Sequence, residues 1–527
     1  MTREDERALE QLGAFEISDR LIDYAKRDQR GHVFLNAGRG NPNWINVSAR
    51  SALINLMRFG LNESQRTMNT GNLAGYIQPE GIAERLQAFC ATLSTADGHF
   101  LSESLTYVKE HVTTDLDAVV AEWVDGVIGN NYPVPPRVLR YTEPIITQYL
   151  AATMGFDETV TATNLFPTEG GTAAIVDIFH TLRENGLIAP GDKIAINTPI
   201  FTPYLEIPTL DDYQLVEVDL RSTEAQNWEI QPSEVDKLKD DQVKLLILVN
   251  PSNPGAMALN EAALAALQAV VAARPQLMII TDDVYGTFVP NFKSVYSVVP
   301  QNTVLVYSYS KLFGATGWRL GVIAVAHENV FDALISQLPV EQTQRLRKRY
   351  GRVVTQPDTL SFIERLVADS RSVGLYDTAG LSTPQQILMV LFSLTHLLAG
   401  SPDSYIDEAT QLVVTREHDL NQALGIPNND SPDNTHYYEL VDIYRLAEKR
   451  YGKQFRDYLM TNFEEVDFLK QLAEKRGVVL MDGVGFGSSA GILRVSQANL
   501  PNADYAQIGT QILAVLADYY AAFSAQA

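Results

Sequence analysis

From residue 163 onward, short apolar runs alternate with helical segments, and this alternation limits the possible folds of the chain more than any other feature of the sequence. Strands separated by helices form βαβ units, whose strands lie parallel in one sheet covered by helices. The sequence therefore predicts an α/β fold with a largely parallel sheet. The candidate strands are residues 163–166, 193–197, 244–249, 277–281, 303–307 and 320–325.

The segments on either side of this region predict a second, smaller domain. Residues 1–75 are expected to join that domain and to border the entrance of the binding site, and residues 76–160 to form a helical extension leading into the larger domain. We place the larger domain at residues 161–385 and the C-terminal part of the smaller α+β domain at 386–527, with a helical insertion around 400–476. Two strand-like runs, 478–481 and 492–495, joined by a glycine-rich turn, predict a hairpin.

The charge balance argues against two classes of partner. The chain has 41 Lys and Arg residues against 64 Asp and Glu residues, and its net charge of -23 repels the phosphates of nucleic acids and of anionic membranes. Cys90 is the single cysteine, so the sequence offers neither a disulfide framework nor a cysteine-based zinc site. With its charged first residues, the chain is expected to work in the cytoplasm without a nucleic acid, membrane or metal partner.

Polar segments follow five of the candidate strands. In an open α/β sheet, ligands bind beyond the carboxyl ends of the strands, so these segments are expected to meet in one crevice. They comprise a glycine-containing turn at 168–172, an aromatic ring at Phe201, an asparagine loop at 250–254, an acid with a tyrosine at Asp282 and Tyr285, and an amine among hydroxyls at Lys311.

Each of these segments has an ordinary structural explanation when it is taken alone. A glycine turn before a helix suits a phosphate, but it also suits a plain turn capped by Thr172. Alone, Phe201 belongs in a core, Asp282 caps a helix and Lys311 is a surface lysine. Their joint occurrence at successive strand ends favours a pocket for pyridoxal phosphate, which needs phosphate donors, an acid opposite its ring nitrogen and an amine for its aldehyde.

The same segments resemble those of the fold-type I aminotransferases, pyridoxal-phosphate-dependent transferases with a mostly parallel, seven-stranded sheet. The resemblance covers most of residues 30–325 and the segment around Arg494, and its most diagnostic part is SYSKLFGATGWRLG at residues 308–321. It implies that Lys311 binds the cofactor covalently and carries a proton, and that Asp282 keeps the ring nitrogen protonated. The further residues implied are Asn253 and Tyr285 at the phenolic oxygen, with Tyr285 also catalytic; Gly171, Thr172, Ser308 and Arg319 at the phosphate; Phe201 on the ring; and Tyr76 reaching the site of a neighbouring subunit.

The resemblance also points to an amino-acid substrate. Arg494 matches the arginine that binds the substrate α-carboxylate, and a planar, bidentate donor suits that task. One departure from the family pattern follows Asn253, where the usual Asn-Pro-Thr-Gly reads Asn-Pro-Gly-Ala. We therefore expect Asn253 to keep its role and the loop after it to take a different shape.

The length of the chain and its extra segments resemble, within that family, the aspartate 4-decarboxylases. The resemblance implies conversion of L-aspartate to L-alanine and CO2, a side aminotransferase activity that uses 2-oxo acids, and a homo-oligomer of at least two and up to twelve subunits. A tight ion pair with the distal carboxylate would oppose its departure, so the distal contacts are expected to set the reaction. Arg39, beside Gly40, and Arg371 are the candidates for that contact, although Arg371 equally suits a solvated loop.

Three other functions remain as alternatives. An ordinary aspartate or aromatic aminotransferase would use the same pocket. A nucleotide-binding protein would need the glycines of 483–487 to open a helix, whereas a strand-like run follows them. A non-catalytic regulator built on the same fold would need a basic DNA-binding segment, and the first 35 residues contain none.

Overall fold

The computed structural model describes residue 9 and residues 12–27, 34–68, 75–93, 95–159, 161–376 and 380–525. The helices are α1 (Ala14–Arg27), α2 (Val47–Thr67), α3 (Ile82–Cys90), α4 (Thr95–His111), α5 (Leu116–Ile128), α6 (Thr142–Met154), α7 (Gly171–Glu184), α8 (Pro203–Glu206), α9 (Pro232–Val235), α10 (Glu261–Ala273), α11 (Val295–Val298), α12 (Val330–Ser336), α13 (Val340–Tyr350), α14 (Phe362–Ser370), α15 (Thr383–Ala399), α16 (Ser404–Leu424), α17 (Ile443–Tyr451), α18 (Lys453–Asn462), α19 (Glu465–Arg476) and α20 (Asn502–Ser524).

The strands are β1 (Leu35–Asn36), β2 (Thr163–Thr168), β3 (Lys193–Thr198), β4 (Val216–Arg221), β5 (Val243–Val249), β6 (Met278–Asp282), β7 (Thr303–Ser308), β8 (Gly321–Ala326), β9 (Tyr438–Asp442), β10 (Val478–Val479), β11 (Met481–Asp482) and β12 (Ile492–Ser496). Seven of them form one sheet in the order β2-β8-β7-β6-β5-β3-β4. Strand β8 runs antiparallel to both of its neighbours, and the other pairs are parallel. The predicted α/β fold with a mostly parallel, seven-stranded sheet is confirmed.

Strand β4 was not among the predicted strands. It lies at the edge of the sheet, and its sequence, VEVDLR, places charged side chains between the apolar ones. Only Leu220 of the strand is buried, so the continuous apolar run that marks the central strands is missing here.

The larger hydrophobic core contains the sheet and helices α2 to α6, together with α15. Helix α15 carries the longest apolar run, and its residues from Gln386 to Leu394 are all buried. Among the described residues, no single helix is both long and apolar enough to span a membrane, although α15 and α16, which meet at 97°, satisfy that test as a bent pair.

A smaller core contains α1, helices α17 to α20 and the strands β1, β9, β10 and β12. We predicted that this unit begins at residue 386, but the whole of α15 packs into the larger core. The change comes within α16, whose Val413 lies in the larger core and whose Leu420 lies in the smaller one. An apolar run alone does not reveal which of two cores will bury it.

The predicted C-terminal hairpin is present, with β11 and β12 paired antiparallel and β9 on the other side of β12. The N-terminal segment joins the same unit, because β1 lies parallel to β10 and the Ser496 N–H donates to the carbonyl of Ala37. These contacts place the loop that follows β1, residues 37–44, over the end of the large sheet.

Candidate active site

A cavity of about 210 Å³ lies beyond the carboxyl ends of β5, β6 and β7, where elements of both cores meet. The structure brings most of the predicted ligands to its wall: Gly40, Gly171, Thr172, Phe201, Asn253, Asp282, Tyr285, Ser308, Lys311, Arg319 and Arg494. Phe15, Ser310 and Tyr438 also line it, and the sequence analysis did not single them out.

The amine of Lys311 points into this cavity. Its Nζ donates to the carbonyl oxygen of Gly40 at 3.1 Å, and the hydroxyl of Tyr437 donates to the same oxygen at 2.9 Å. A Cβ on Gly40 would lie 2.2 Å from the hydroxyl oxygen of Tyr438, so only glycine allows the loop to approach this closely. The smaller unit therefore supplies the acceptor that orients the lysine.

The carboxylate of Asp282 stands across the cavity at the end of β6. Its Oδ2 accepts a hydrogen bond from the hydroxyl of Tyr204 at 2.7 Å, and its Oδ1 accepts one from the backbone N–H of Val284 at 3.2 Å. Burial raises the pKa of this carboxyl, while the Tyr204 hydrogen bond and the charge of Lys311 act in the opposite direction. A cation beside it would offset the cost of its burial.

Tyr204 is a site residue that sequence reasoning missed. It lies in the short helix α8, three residues after Phe201, and it is buried. The centres of the two rings lie 6.2 Å apart, and the closeness of Tyr204 to Phe201 in the sequence was the signal available.

The neighbouring acid, Asp283, is turned away from the cavity. It is fully buried, and its Oδ1 accepts a short hydrogen bond from the hydroxyl of Thr281. Burial raises the pKa of Asp283 to about 8, with the charge of Asp282 adding to the effect. At neutral pH, therefore, Asp283 is mainly uncharged, and Asp282 is the acid of this strand end that lines the cavity.

Replacing Asp283 with asparagine tests whether the carboxyl of Asp283 is uncharged at neutral pH. An unfolded aspartate has a pKa of about 3.9, so between that pH and about 8 the folded protein holds a proton that the unfolded chain has lost. The stability of the wild type should fall with rising pH in this window by up to about 1.4 kcal/mol per pH unit from this group. Asp283→Asn has no carboxyl at this position and does not lose stability in this way. The difference in unfolding temperature, variant minus wild type, should therefore increase from pH 5 to pH 8, as measured by calorimetry. A pH-independent difference would contradict the assignment.

Arg494 is buried at the opposite wall of the cavity. One Nη donates to the Oδ1 of Asn253 at 2.9 Å, and the other donates to the carbonyl of Gly38 at 2.7 Å. Its guanidinium lies 4.5 Å from the ring centres of both Tyr438 and Phe486. Among the described residues no carboxylate forms a salt bridge with it, its Nε has no hydrogen-bond partner, and burial lowers its pKa. A buried cation of this kind offers a strong site for an anion.

The start of helix α7 forms the end of the cavity that suits a phosphate. The residue before the helix is Gly170, with φ of 86°, and it has no side chain to cap the first N–H groups. A Cβ there would lie 2.5 Å from Nη2 of Arg319, so the glycine lets the guanidinium reach the helix start. The hydroxyls of Ser308 and Ser310, 2.9 Å apart, line the same end. Backbone N–H groups, a guanidinium and hydroxyls together suit a dianion.

Two tyrosines of the smaller unit complete the wall. The hydroxyl of Tyr438 lies 2.8 Å from that of Tyr285, and the ring of Tyr437 lies 4.9 Å from the ring of Tyr285. The segment before them also holds the loop after Asn253, since the Thr435 N–H donates to the carbonyl of Ala256 at 2.9 Å. Ala256 has φ of 59°, so this loop is shaped by the smaller unit.

Three predicted residues lie outside the cavity. Tyr76 is exposed over 64% of its surface. Arg39 is exposed as well, and it does not line the cavity. Arg371 is buried elsewhere, where it donates to the carbonyls of Tyr376 and Pro136. Neither arginine is among the residues of this chain that line the cavity.

The fold and this site define a protein of fold type I that uses pyridoxal phosphate. The donor set fits that cofactor, since the cavity presents anion donors at one end, a buried carboxylate at the other and a lysine amine between them.

Comparisons with known proteins agree with this class. The sequence model of the family described as aminotransferase class I and II matches residues 140–340. The bifunctional aspartate aminotransferase and L-aspartate beta-decarboxylase of a Pseudomonas species is 43% identical over 526 residues, 99% of each chain. Solved aspartate aminotransferases share the fold: that of Rhizobium meliloti has a TM-score of 0.59 at 15% identity, covering 96% of each chain. A Thermus thermophilus double mutant has a TM-score of 0.57 at 17% identity, covering 95% of this chain and 96% of that one.

This chain belongs to the class I and II aminotransferases, and within them to the family of the bifunctional Pseudomonas protein, which it matches along its full length.

Proposed function

We propose that this protein removes the β-carboxylate of L-aspartate to give L-alanine and CO2, with an aminotransferase side activity in the same pocket. The observation that carries the proposal is Arg494, a buried cation without an acidic partner among the described residues, facing the amine of Lys311 across the cavity. An amino acid offers a group to each of these residues. Its carboxylate pairs with Arg494, and its amino group reacts at the position of Lys311. The full-length similarity to the bifunctional Pseudomonas protein supports aspartate as that amino acid.

Pyridoxal phosphate, when bound, supplies an aldehyde that condenses with amines and a ring that accepts the electron pair of a broken bond. Gly171, Thr172, Ser308 and Arg319 would hold its phosphate, Phe201 would lie on its ring, and Asn253 and Tyr285 would bond its phenolic oxygen. Asp282 would keep the ring nitrogen protonated, and Lys311 would bind the aldehyde.

Lys311 is positioned to move a proton at the substrate Cα. The Gly40 carbonyl orients its Nζ, and the hydroxyl of Tyr437 holds that carbonyl in place. Arg494 binds the α-carboxylate with donors that are already oriented by Asn253 and Gly38. Because both groups are set before substrate arrives, little free energy is lost in arranging them.

The environment of the distal carboxylate favours its departure. Among the described residues that line the cavity, Arg319 lies at the phosphate end and Arg494 serves the α-carboxylate, so the chain itself presents no further arginine for the distal group. A strong ion pair would stabilise the distal carboxylate in the ground state more than in the transition state that releases CO2. Because the described part of the chain presents no such ion pair, this barrier to decarboxylation is absent.

Incubation with L-aspartate tests the proposal and separates it from an ordinary aminotransferase. The purified protein with pyridoxal phosphate should release CO2 and alanine when no 2-oxo acid is present. Addition of 2-oxoglutarate should produce a smaller amount of oxaloacetate and glutamate. If oxaloacetate is the only product and forms only with 2-oxoglutarate, the protein is an aspartate aminotransferase.

Replacing Arg494 with alanine should mainly weaken substrate binding. Loss of a buried, hydrogen-bonded partner of a charged group costs about 2–5 kcal/mol, so KM for L-aspartate should rise by about 30-fold or more. A matched control is Arg456→Ala, since this arginine pairs with Asp457 at the surface and should leave steady-state kinetics unchanged. An unchanged KM for Arg494→Ala would contradict the role.

We also propose that the protein works as a homo-oligomer. Val47, Ile54, Leu61 and Met68, along helix α2 and at its end, are spaced seven residues apart and are exposed over 62, 62, 51 and 41% of their surfaces. Such an apolar stripe favours contact with another chain. Tyr76 follows the stripe and is exposed, as expected of a residue that serves a neighbouring site.

Sedimentation velocity tests the oligomer. Ile54→Asp should lower the sedimentation coefficient, because a charge in an apolar contact costs several kcal/mol. Val340→Asp, at an equally exposed valine on α13, is the control and should have no effect. A wild-type protein that sediments as a monomer at micromolar concentration would end the proposal.

We also propose that the chain forms two units, with their border in α16 and not at residue 386, and that it acts in the cytoplasm, in keeping with the single, buried Cys90.

A further inference from the structure

A second cavity, of about 230 Å³, lies next to the candidate active site and shares Tyr438 as a wall. Glu417 of helix α16 lines this cavity, and it lies close to His418 of the same helix and to His436, which precedes β9. One ligand atom from each of the three residues lies within 4.8 Å of the others. None of the three takes part in the proposed reaction.

The geometry points to a binding site for a divalent transition-metal cation of the zinc class, formed by Glu417, His418 and His436. Two imidazoles and one carboxylate are a common ligand set for zinc, with water in the fourth position. Magnesium and calcium prefer oxygen ligands, so the two histidines argue against them.

The positions of the side chains suit this set. The Oε2 of Glu417 already contacts the Nδ1 of His436, and the two imidazole rings are nearly perpendicular, at 82°, with centres 6.1 Å apart. Bonds of about 2.0–2.2 Å in a tetrahedron place ligand atoms about 3.4 Å apart, so the widest pair must approach by roughly 1.4 Å. Rotation of His418, which is only partly buried, supplies that movement.

The charges around the cluster lack a strong basic partner. Glu439 hydrogen-bonds to Glu417, and within the described ranges no lysine or arginine forms a salt bridge with either acid. The buried Oδ1 of Asn421 has no hydrogen-bond partner among described residues, while its Nδ2 lies 3.3 Å from Glu439. These buried acids therefore have room for a cation as a partner.

An outer acid supports one of the imidazoles. The Oδ1 of Asp430 lies 3.1 Å from the Nε2 of His418, and a carboxylate beside a metal-bound imidazole is a common arrangement. The segment that carries Asp430 and His436 also holds the loop after Asn253, through the Thr435 bond to Ala256. Metal binding should therefore stabilise the contact between this segment and the larger unit.

Cobalt(II) is the probe for this site, because it replaces zinc and its visible absorption reports tetrahedral coordination. The untagged, full-length protein with its cofactor is treated with a chelator, dialysed, and titrated with CoCl2. We expect one equivalent to bind per chain with tetrahedral absorption bands, and the unfolding temperature to rise. His418→Gln and His436→Gln should each weaken binding by about tenfold or more.

The matched control is His99→Gln, which alters an exposed pair in which His99 lies 3.5 Å from Glu103. This variant should bind cobalt as the wild type does. The cofactor absorbance shows that each variant is folded, and His418 is exposed enough for its replacement to leave the fold intact. Absence of bound cobalt in the wild type, or cobalt binding by His418→Gln and His436→Gln as tight as that of the wild type, would overturn the site.

Discussion

Lys311→Ala is expected to lower turnover of L-aspartate by about 10⁴-fold or more, because the variant lacks both the amine that binds the cofactor and the base at Cα. Lys311 is the lysine that lines the cavity, and its Nζ already makes an oriented hydrogen bond to Gly40. Borohydride reduction followed by peptide mapping gives a second measurement. The wild type should yield a cofactor adduct on the peptide that contains residue 311, and the variant should yield none.

Lys293→Ala is the control for this experiment. Lys293 is exposed, and its Nζ lies 3.7 Å from a surface carboxylate, that of Glu261. Its replacement should leave both turnover and the adduct unchanged. If Lys311→Ala turned over L-aspartate at the wild-type rate, the assignment of the cavity as the reaction site would be wrong.

Asp282→Asn is expected to lower kcat by about 10³-fold, since a preorganised charge at a reacting group contributes on this scale. Asparagine keeps the shape of the side chain and can still accept the hydrogen bond from Tyr204, but it lacks the charge that would hold a proton on the cofactor ring nitrogen. The measurement is single-turnover decay of L-aspartate with saturating cofactor.

Asp283→Asn is the matched control, because it makes the same chemical change one residue further along the chain. Burial already keeps Asp283 mainly uncharged at neutral pH, so asparagine replaces like with like and kcat should stay within a few-fold of wild type. Equal losses in the two variants would mean that disturbance of the β6 end, and not the charge of Asp282, reduces the rate.

The positions of six strands of the large sheet and the polar residues at their ends were predicted from the sequence because both depend on local pattern. A buried parallel strand is a continuous apolar run, and the residue that follows it lies at the binding edge of the sheet. Asp282 and Lys311 were found in this way. The edge strand β4 was missed because its side chains alternate between apolar and charged.

Residues whose roles depend on the second unit were not predictable in this way. Tyr438 is separated by 153 residues from Tyr285, and no local pattern links the two. Arg39 and Gly40 are adjacent in the sequence, yet only the glycine lines the cavity, and the side chain of Arg39 is exposed. The choice of Arg39 as a candidate rested on proximity in sequence alone.

By itself, the sequence determined the α/β sheet and the residues at its carboxyl edge, because apolar runs of strand length and the turns after them are local properties of the chain. The tertiary structure decided that Asp283 is buried and holds its proton at neutral pH, which carbonyl orients Lys311, and that Arg494 is buried without an acidic partner in the described chain. Those outcomes depend on burial and on contacts between residues far apart in sequence, and both arise only when the smaller unit packs over the end of the large sheet.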